Sequence, residues 1–366
     1  MIDLALDLAA LGRNLPPPNP AVGCVIVSNS GQLLGQGHTQ LAGGPHAEVV
    51  ALRDAEARGF SVNGATAYVT LEPCSHHGRT GPCCDALILA GIKKVVASIA
   101  DPNPLVCGQG FARLRAAGVE VEVGPGAAAA RELNIGFFSR MIRKTPWVRM
   151  KLAASLDGKT ALDNGTSQWI TSESARADGH AWRARACAVL TGIGTVLEDT
   201  PRLNVRLPHV QRQPHLVVVD SRLETPLDAQ LFVPERKLYI YGAVENPEKK
   251  AALEARGAVV IYMPGPVQAS NTKVDLAAML RDLAVREVNE VHLEAGHRLN
   301  GSFIRERLVD EFLVYLAPKL IGQGRDMASF GPLSQLDEAI PLQFTSTQML
   351  GPDLRILARI PQRDQF

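Results

Sequence analysis

The sequence predicts a two-domain α/β protein, and three observations carry that reading. The chain has 366 residues, too many for one ordinary core. Strand-like and helix-like stretches alternate through most of it, as in layered folds with helices on both faces of a sheet. An Ala-rich helical stretch over 127–142 ends in Arg140, Arg143 and Lys144 and is broken by Thr145-Pro146. Positive charge suits a helix C-terminus, and proline stops the helix. The expected boundary near residue 145 gives domains 1–144 and 145–366.

Composition narrows the class. Hydrophobic residues make up 46% and charged residues 20%, the balance of a soluble globular protein. The formal net charge of +1 supplies no general attraction to nucleic acid or to an anionic membrane. A phosphorylated substrate would need a local basic cluster. No apolar run approaches the roughly 20 residues that span a bilayer. The start, MIDLALDLAALG, carries Asp3 and Asp7 without a basic segment, so it does not read as a signal peptide. Six cysteines in a chain of this length are not a disulfide framework. A cytoplasmic enzyme with metal-bound thiolates is the economical reading.

In the first domain, Leu4, Leu8 and Leu11 recur at helical spacing, and Gly12 and Pro16-Pro17-Pro18 stop that helix. Asn19-Pro20 marks a turn before a strand over 22–27, and 32–37 reads as its hairpin partner. His46-Ala47-Glu48 opens a helix running to about Ala57. Residues 66–70 form a strand leading into Glu72-Pro73-Cys74. Gly81-Pro82-Cys83 starts a helix over 83–90, with proline where the missing N–H does no harm. A strand over 95–100, a helix over 112–117 and a strand over 119–123 follow.

The chemistry lies between Gly44 and Cys84. His46, Cys74 and Cys83 offer one imidazole and two thiolates, three ligands for a tetrahedral Zn²⁺ with the fourth corner open for a water. Zinc makes such a water acidic near neutral pH. Glu48 is the expected proton shuttle. Its place at a helix start, among unpaired N–H groups, suits an anion. His76 and His77 are further imidazoles, but with three corners filled they read as a polar loop over the site. Cys84 follows Cys83 directly, and adjacent helical residues point about 100° apart, so only one of the two faces the metal. The competing reading is a closed structural zinc site. The missing fourth ligand and Glu48 count against it.

His-x-Glu followed by Pro-Cys is the signature of the zinc nucleobase deaminases, although here eight residues rather than two separate Cys74 from Cys83. The run TLEPCSHHGRTGPCCDALI, Thr70 to Ile88, resembles the N-terminal half of the bifunctional riboflavin-biosynthesis deaminase/reductases. So does the run Pro18 to Val27. The resemblance implies a cytidine-deaminase-like three-layer zinc domain. It also implies a role for Asn19 in positioning the pyrimidine base, where turn preference alone makes Asn19 a turn residue.

The second domain opens with a strand from Trp147 that ends in Ser155-Leu156-Asp157-Gly158. This run resembles the reductase half of the same family and implies a dihydrofolate-reductase-like fold. A helix over 174–185, a strand over 189–191 with Gly192-Ile193-Gly194, an apolar strand over 215–220 and a strand over 288–293 with Glu294-Ala295-Gly296 follow. A glycine turn before a helix lets backbone N–H groups approach phosphate, and ligands of open α/β sheets gather at strand carboxyl ends. Three strand ends, after Thr191, Asp220 and Leu293, carry such turns. No dinucleotide fingerprint follows an early strand, so a Rossmann domain is not indicated. Residues 310–322 read as a strand and a glycine loop. The resemblance spans roughly 14–325, and the tail beyond Gln335 is not diagnostic. The N-terminus looks short beside the family.

The implied chemistry is hydrolytic deamination of a 2,5-diamino-6-(phosphoribosylamino)pyrimidinone at one zinc, then NADPH reduction of the ribosyl group to ribityl. By position, the resemblance places the cofactor at Ala153, Trp169, Thr195, Asp199, Ser221 and the turn Gly296, His297, Arg298, Leu299, Asn300, Gly301 and Ser302. It places the substrate at Ser167, Arg183, Leu203, Arg206 and Glu294. Arg183 and Arg206 are guanidinium groups suited to holding phosphate, though any single arginine is as readily a solvated surface charge. Arg222, beside Ser221, is a candidate contact for the cofactor's 2′-phosphate. The partner is then a small phosphorylated pyrimidine, with no nucleic acid and no membrane. The family commonly self-associates, which implies a dimer or tetramer. The rivals are a nucleic-acid or nucleoside deaminase with an appended domain, a zinc-stabilised structural protein, and a deaminase of another pyrimidine with a degenerate reductase half.

Overall fold

Two compact units, Met1–Lys144 and Thr145–Phe366, make up the computed structural model. It describes residues 1–15, 17–76, 81–104, 106–208, 210, 212–266 and 272–366. In the first unit, five strands form one mixed sheet in the order Leu33–His38, Gly23–Val27, Thr66–Val69, Lys94–Ala97, Glu120–Val123. The first two pairings are antiparallel and the last two parallel.

Side chains alternate across this sheet, as the period of two requires. Cys24 and Ile26 face a core shared with Ala47, Ala51, Ala55, Leu87, Phe111 and Leu114. Val25 and Val27 face Ala5, Leu4 and Leu8 of the first helix. Helices therefore cover both faces. The helix Ala47–Ala57 lies unusually close to its strand because that strand offers glycine: a Cβ on Gly37 would sit 2.6 Å from the Ala47 carbonyl oxygen. This contact fixes the start of the helix, and with it His46 and Glu48.

One sequence expectation fails here. The helix expected over 127–142 is two, Ala127–Leu133 and Ile135–Arg143. Asn134 breaks it, because its side chain accepts from the Ala21 N–H at 2.8 Å and donates to the Ala21 carbonyl at 2.9 Å. That buried bond ties the break to the turn before strand Gly23–Val27, competing with helix continuation.

In the second unit, nine strands form one sheet in the order Ala258–Tyr262, Leu238–Gly242, His215–Val219, Ala188–Gly192, Glu290–Leu293, Trp147–Ser155, Glu311–Ala317, Asp353–Arg359, Gln343–Leu350. The first seven strands run parallel to one another, and the last two pairings are antiparallel. The tail beyond Gln335 thus supplies two strands that the sequence reading left open. A small hairpin pairs Lys159–Ala161 with Arg325–Asp326.

Beneath the central strands lies a buried charge network. Arg149, fully buried, pairs with Glu290 at 2.9 Å and with Glu311, and its guanidinium covers Trp182 at 4.5 Å. Arg185 and Arg359 complete the pairing of these carboxylates. It sits on the strands whose opposite ends form the site.

Candidate active sites

The first site is built by two helix starts and one loop. His46 caps the helix Ala47–Ala57, and Cys83 is the first residue of the helix Cys83–Leu89. Cys74 leaves the strand Thr66–Val69 by way of Glu72-Pro73. Their ligand atoms all lie within 4.8 Å of one another. His46 Nδ1 is 3.2 Å from Cys83 Sγ and 3.5 Å from Cys74 Sγ. The Cys83 N–H donates to Cys74 Sγ at 3.4 Å, support of the kind a helix start gives a thiolate. Hydrogen bonds from Cys83 and His46 pull the Cys74 thiol down to about 4. Cys83, donating to that thiolate, holds its proton more tightly.

Glu48 is 3% exposed. Burial, then the nearby Cys74 charge, pushes it up to about 7. Cys84 turns away, as adjacent helical positions require, and donates to the Pro73 carbonyl at 3.1 Å. His76 is exposed and outside the cluster, and His77 lies outside the described residues. Asn19 is half-buried in the turn leading to Gly23, and Gly23 pairs with Thr70 at the end of the sheet nearest Cys74.

Sequence reasoning missed the role of Glu72. Its buried carboxylate accepts four backbone N–H bonds, from Asp101, Gly108, Gly110 and Phe111, at 2.9–3.3 Å. It ties Asp101, Gly108 and the start of the helix Gln109–Ala116 together beside Cys74. A charged residue between a strand and Pro73 was the available signal.

The second site is a cavity of ≈ 450 Å³ at the carboxyl ends of the central strands. Of the residues named from sequence, Ala153, Ser167, Trp169, Arg183, Thr195, Asp199, Leu203, Arg206, Glu294, Gly296, His297 and Asn300 border it. Six do not: Ser221, Arg222, Arg298, Leu299, Gly301 and Ser302. Ser221 gives its carbonyl to Ala243 and Val244, and the neighbouring Asp220 spends its carboxylate on Glu224 and Thr225 of its own turn. Arg298 is exposed, and Ser302 donates to its carbonyl. Leu299 packs against Gly192, and Gly301 against the Ser329 backbone. The strand end after Asp220 therefore contributes nothing to the cavity wall, and the expected convergence narrows to the ends after Thr191 and Leu293. Arg222 stands exposed beside Ser221.

Charge in this cavity is concentrated on Glu294. Arg183 grips it bidentately, Nε at 2.7 Å and Nη2 at 2.9 Å. Lys151 Nζ is 3.9 Å away and His292 Nε2 3.3 Å. Burial opposes ionisation of Glu294, but Arg183, His292 and Lys151 override it and hold the group well below the usual carboxylate range. The fork of Arg183 expected on phosphate is thus occupied by Glu294. The guanidinium of Arg206, exposed at the mouth, has no hydrogen-bond or ion-pair partner among the described residues. His180 also borders the cavity, and burial, then Arg183 and Arg206, pushes it down to about 4. Lys151, His180 and Tyr315 were missed. A lysine inside a largely apolar central strand was the legible sign of the first.

Comparison with known proteins decides the family. The RibD C-terminal domain profile matches residues 146–356, and that of the cytidine and deoxycytidylate deaminase zinc-binding region matches 1–99. The riboflavin biosynthesis protein RibD of Escherichia coli (strain K12) is 42% identical over 355 residues, covering 96% of each chain. This chain belongs to the RibD family. The RibD of Aquifex aeolicus (strain VF5) is 40% identical over 353 residues, 96% of each chain. The solved RibD of Acinetobacter baumannii, 40% identical, superposes with a TM-score of 0.88 over 98% of this chain and 97% of its own. A diaminohydroxyphosphoribosylaminopyrimidine deaminase/5-amino-6-(5-phosphoribosylamino)uracil reductase from Thermotoga maritima, 31% identical, gives 0.85 over the same shares.

The family makes this a bifunctional deaminase and reductase of riboflavin biosynthesis, with a cytidine-deaminase-like zinc domain and a dihydrofolate-reductase-like domain using NADPH. Both donor sets fit. Two thiols and an imidazole are zinc ligands of the catalytic, three-protein-ligand kind. In the cavity, the helix His297–Arg305 begins at Gly296 without a side-chain cap, and buried Asn300 Oδ1 has no partner among the described residues. Trp169, 60% exposed, offers a flat face. Such groups suit a phosphorylated, aromatic cofactor. No helix among the described residues is long and apolar enough to cross a membrane.

Proposed function

We propose that the two sites run consecutive steps on one phosphorylated pyrimidine, and that buried Glu48 beside the His46–Cys74–Cys83 cluster is the observation that carries the reading. The substrates are those named for the Thermotoga relative: the diamino pyrimidine for the first site and its deaminated product for the second. His46, Cys74 and Cys83 hold the zinc, which when bound supplies an acidic water at its open corner. Glu48 takes one proton from the attacking water and passes it to the ring nitrogen, then carries the second proton, from the hydroxyl added to the ring carbon, to the amine that departs as ammonia. Its raised affinity for protons suits a group that must both accept and donate. Asn19 orients the base.

In the second site NADPH supplies hydride. Ala153, Trp169, Thr195, Asp199, Asn300 and the Gly296 helix start hold the cofactor, with Ser221, Arg298, Leu299, Gly301 and Ser302 outside the cavity wall. Glu294, kept ionised by Arg183 and Lys151, accepts from sugar hydroxyls, and Ser167 and Leu203 border the substrate. Arg206 takes the phosphate, because its guanidinium is uncommitted where that of Arg183 is not. Arg206→Ala should weaken substrate binding in the reduction by about a hundredfold, the loss of a charge-assisted pair, with NADPH affinity kept. An unchanged KM removes Arg206 from the phosphate site.

The outer strand Gln343–Leu350 leaves one edge unpaired among the described residues and exposes Phe344 and Met349. A second copy pairing there across a two-fold axis would cover them, which supports a homo-oligomer. Free thiols at the first site suit the reducing cytoplasm.

A further inference from the structure

The segment 200–206 carries Leu203 and Arg206 to the cavity in a backbone shape that its own residues do not favour. Thr200 and Leu203 stand at φ 40° and 48°, a region that side chains of this kind rarely adopt. Such conformations persist only where the surroundings over-determine them. Here the surroundings are side chains acting on main chain. Arg183 Nη1 donates to the Asn204 carbonyl at 2.6 Å, and Gln213 bonds both backbone groups of Val205 at 2.8 and 3.1 Å. His180 Nδ1 accepts the Arg206 N–H at 3.4 Å.

The fourth brace is Arg236, which does not border the cavity. Its guanidinium donates to the Leu203 carbonyl at 2.6 Å and to the Arg202 carbonyl. Arg236 is 8% exposed and has no ion-pair partner among the described residues. Its Nε makes no hydrogen bond among the described residues. Burial, then the charge of Arg183, pushes it down to about 10. Burying an arginine with only carbonyls for company is costly. Two consecutive carbonyls turned to one point match the planar fork of a guanidinium and not a single-point donor.

We infer that Arg236 is a positioning residue of the reductase: from behind the cavity it sets the strained turn at Leu203 and so the reach of Arg206 for the substrate phosphate. The inference rests on the reading of Arg206 given above.

The test is steady-state reduction by the full chain, with 5-amino-6-(5-phosphoribosylamino)uracil and NADPH, in Arg236→Met, Arg236→Lys and Arg206→Ala. Arg236→Met should raise the substrate KM about tenfold or more, with kcat and the NADPH Kd little changed, the pattern of lost uniform binding. Arg236→Lys should fall between, since an ammonium keeps the charge without the fork. If Arg206→Ala raises KM and Arg236→Met does not, Arg236 has no positioning role. Loss of NADPH binding in both Arg236 variants also overturns the inference, because the residue then supports the whole unit. An Arg206→Ala enzyme with unchanged KM fails the phosphate reading itself, and the inference with it.

Discussion

Glu48→Gln should retain one zinc per chain and lose deamination by about 10²–10⁴-fold, the range for removal of a general acid–base group. The amide is nearly isosteric, so the buried space beside Cys83 stays filled. It cannot carry a proton between the attacking water and the leaving amine. Nor is Glu48 among the three clustered ligand atoms, so metal content should not follow activity. Zinc analysis and ammonia release on the same preparation separate the two. A Glu48→Gln protein that deaminates at the parent rate would refute the assignment. NADPH-dependent reduction of the already deaminated substrate should be untouched, because Glu48 belongs to the first unit.

The second large effect is expected at Glu294. Its removal leaves Arg183 and Lys151 facing each other in a buried cavity with no counter-charge. Breaking one partner out of a buried pair costs about 3–5 kcal/mol. Glu294→Ala should therefore lower the stability of the second unit by that order and abolish reduction while ammonia release continues. All three tryptophans, Trp147, Trp169 and Trp182, lie in this unit, so urea unfolding followed by tryptophan fluorescence reports on it selectively. Pairing Glu294→Leu with Arg183→Met should recover part of the stability and none of the reductase activity, since an apolar pair replaces an ionic one at little cost. Full stability in Glu294→Ala would mean that the ion pair is not the keystone of this cavity.

What could be read from the chain follows from the range of the interactions. His46, Glu48, Cys74 and Cys83 were legible because metal chemistry demands particular residue types, and the intervening stretches had strand and helix patterns that bring them together. The first helix and the strands near 24, 67 and 217 were legible from apolar spacing. The break at Asn134 was not, because its cause is a bond to Ala21, more than a hundred positions away. The strands at 343–359 were hidden for another reason. Gln343–Leu350 is exposed on both faces, so it has no alternation to betray it. In the second site, residues ending strands were legible by position. Their partners were not: which acid meets Arg183, or which carbonyl meets Arg236, depends on a nine-stranded sheet order that no local pattern encodes.

The central claim is that one chain performs both steps in sequence. It is tested most directly by following ammonia release and NADPH absorbance together, on purified zinc-loaded protein given the diamino pyrimidine phosphoribosyl substrate. The account predicts both signals, with NADPH consumption lagging ammonia and depending on it. NADPH consumption that precedes ammonia release, or ammonia released with no NADPH consumed, would contradict it.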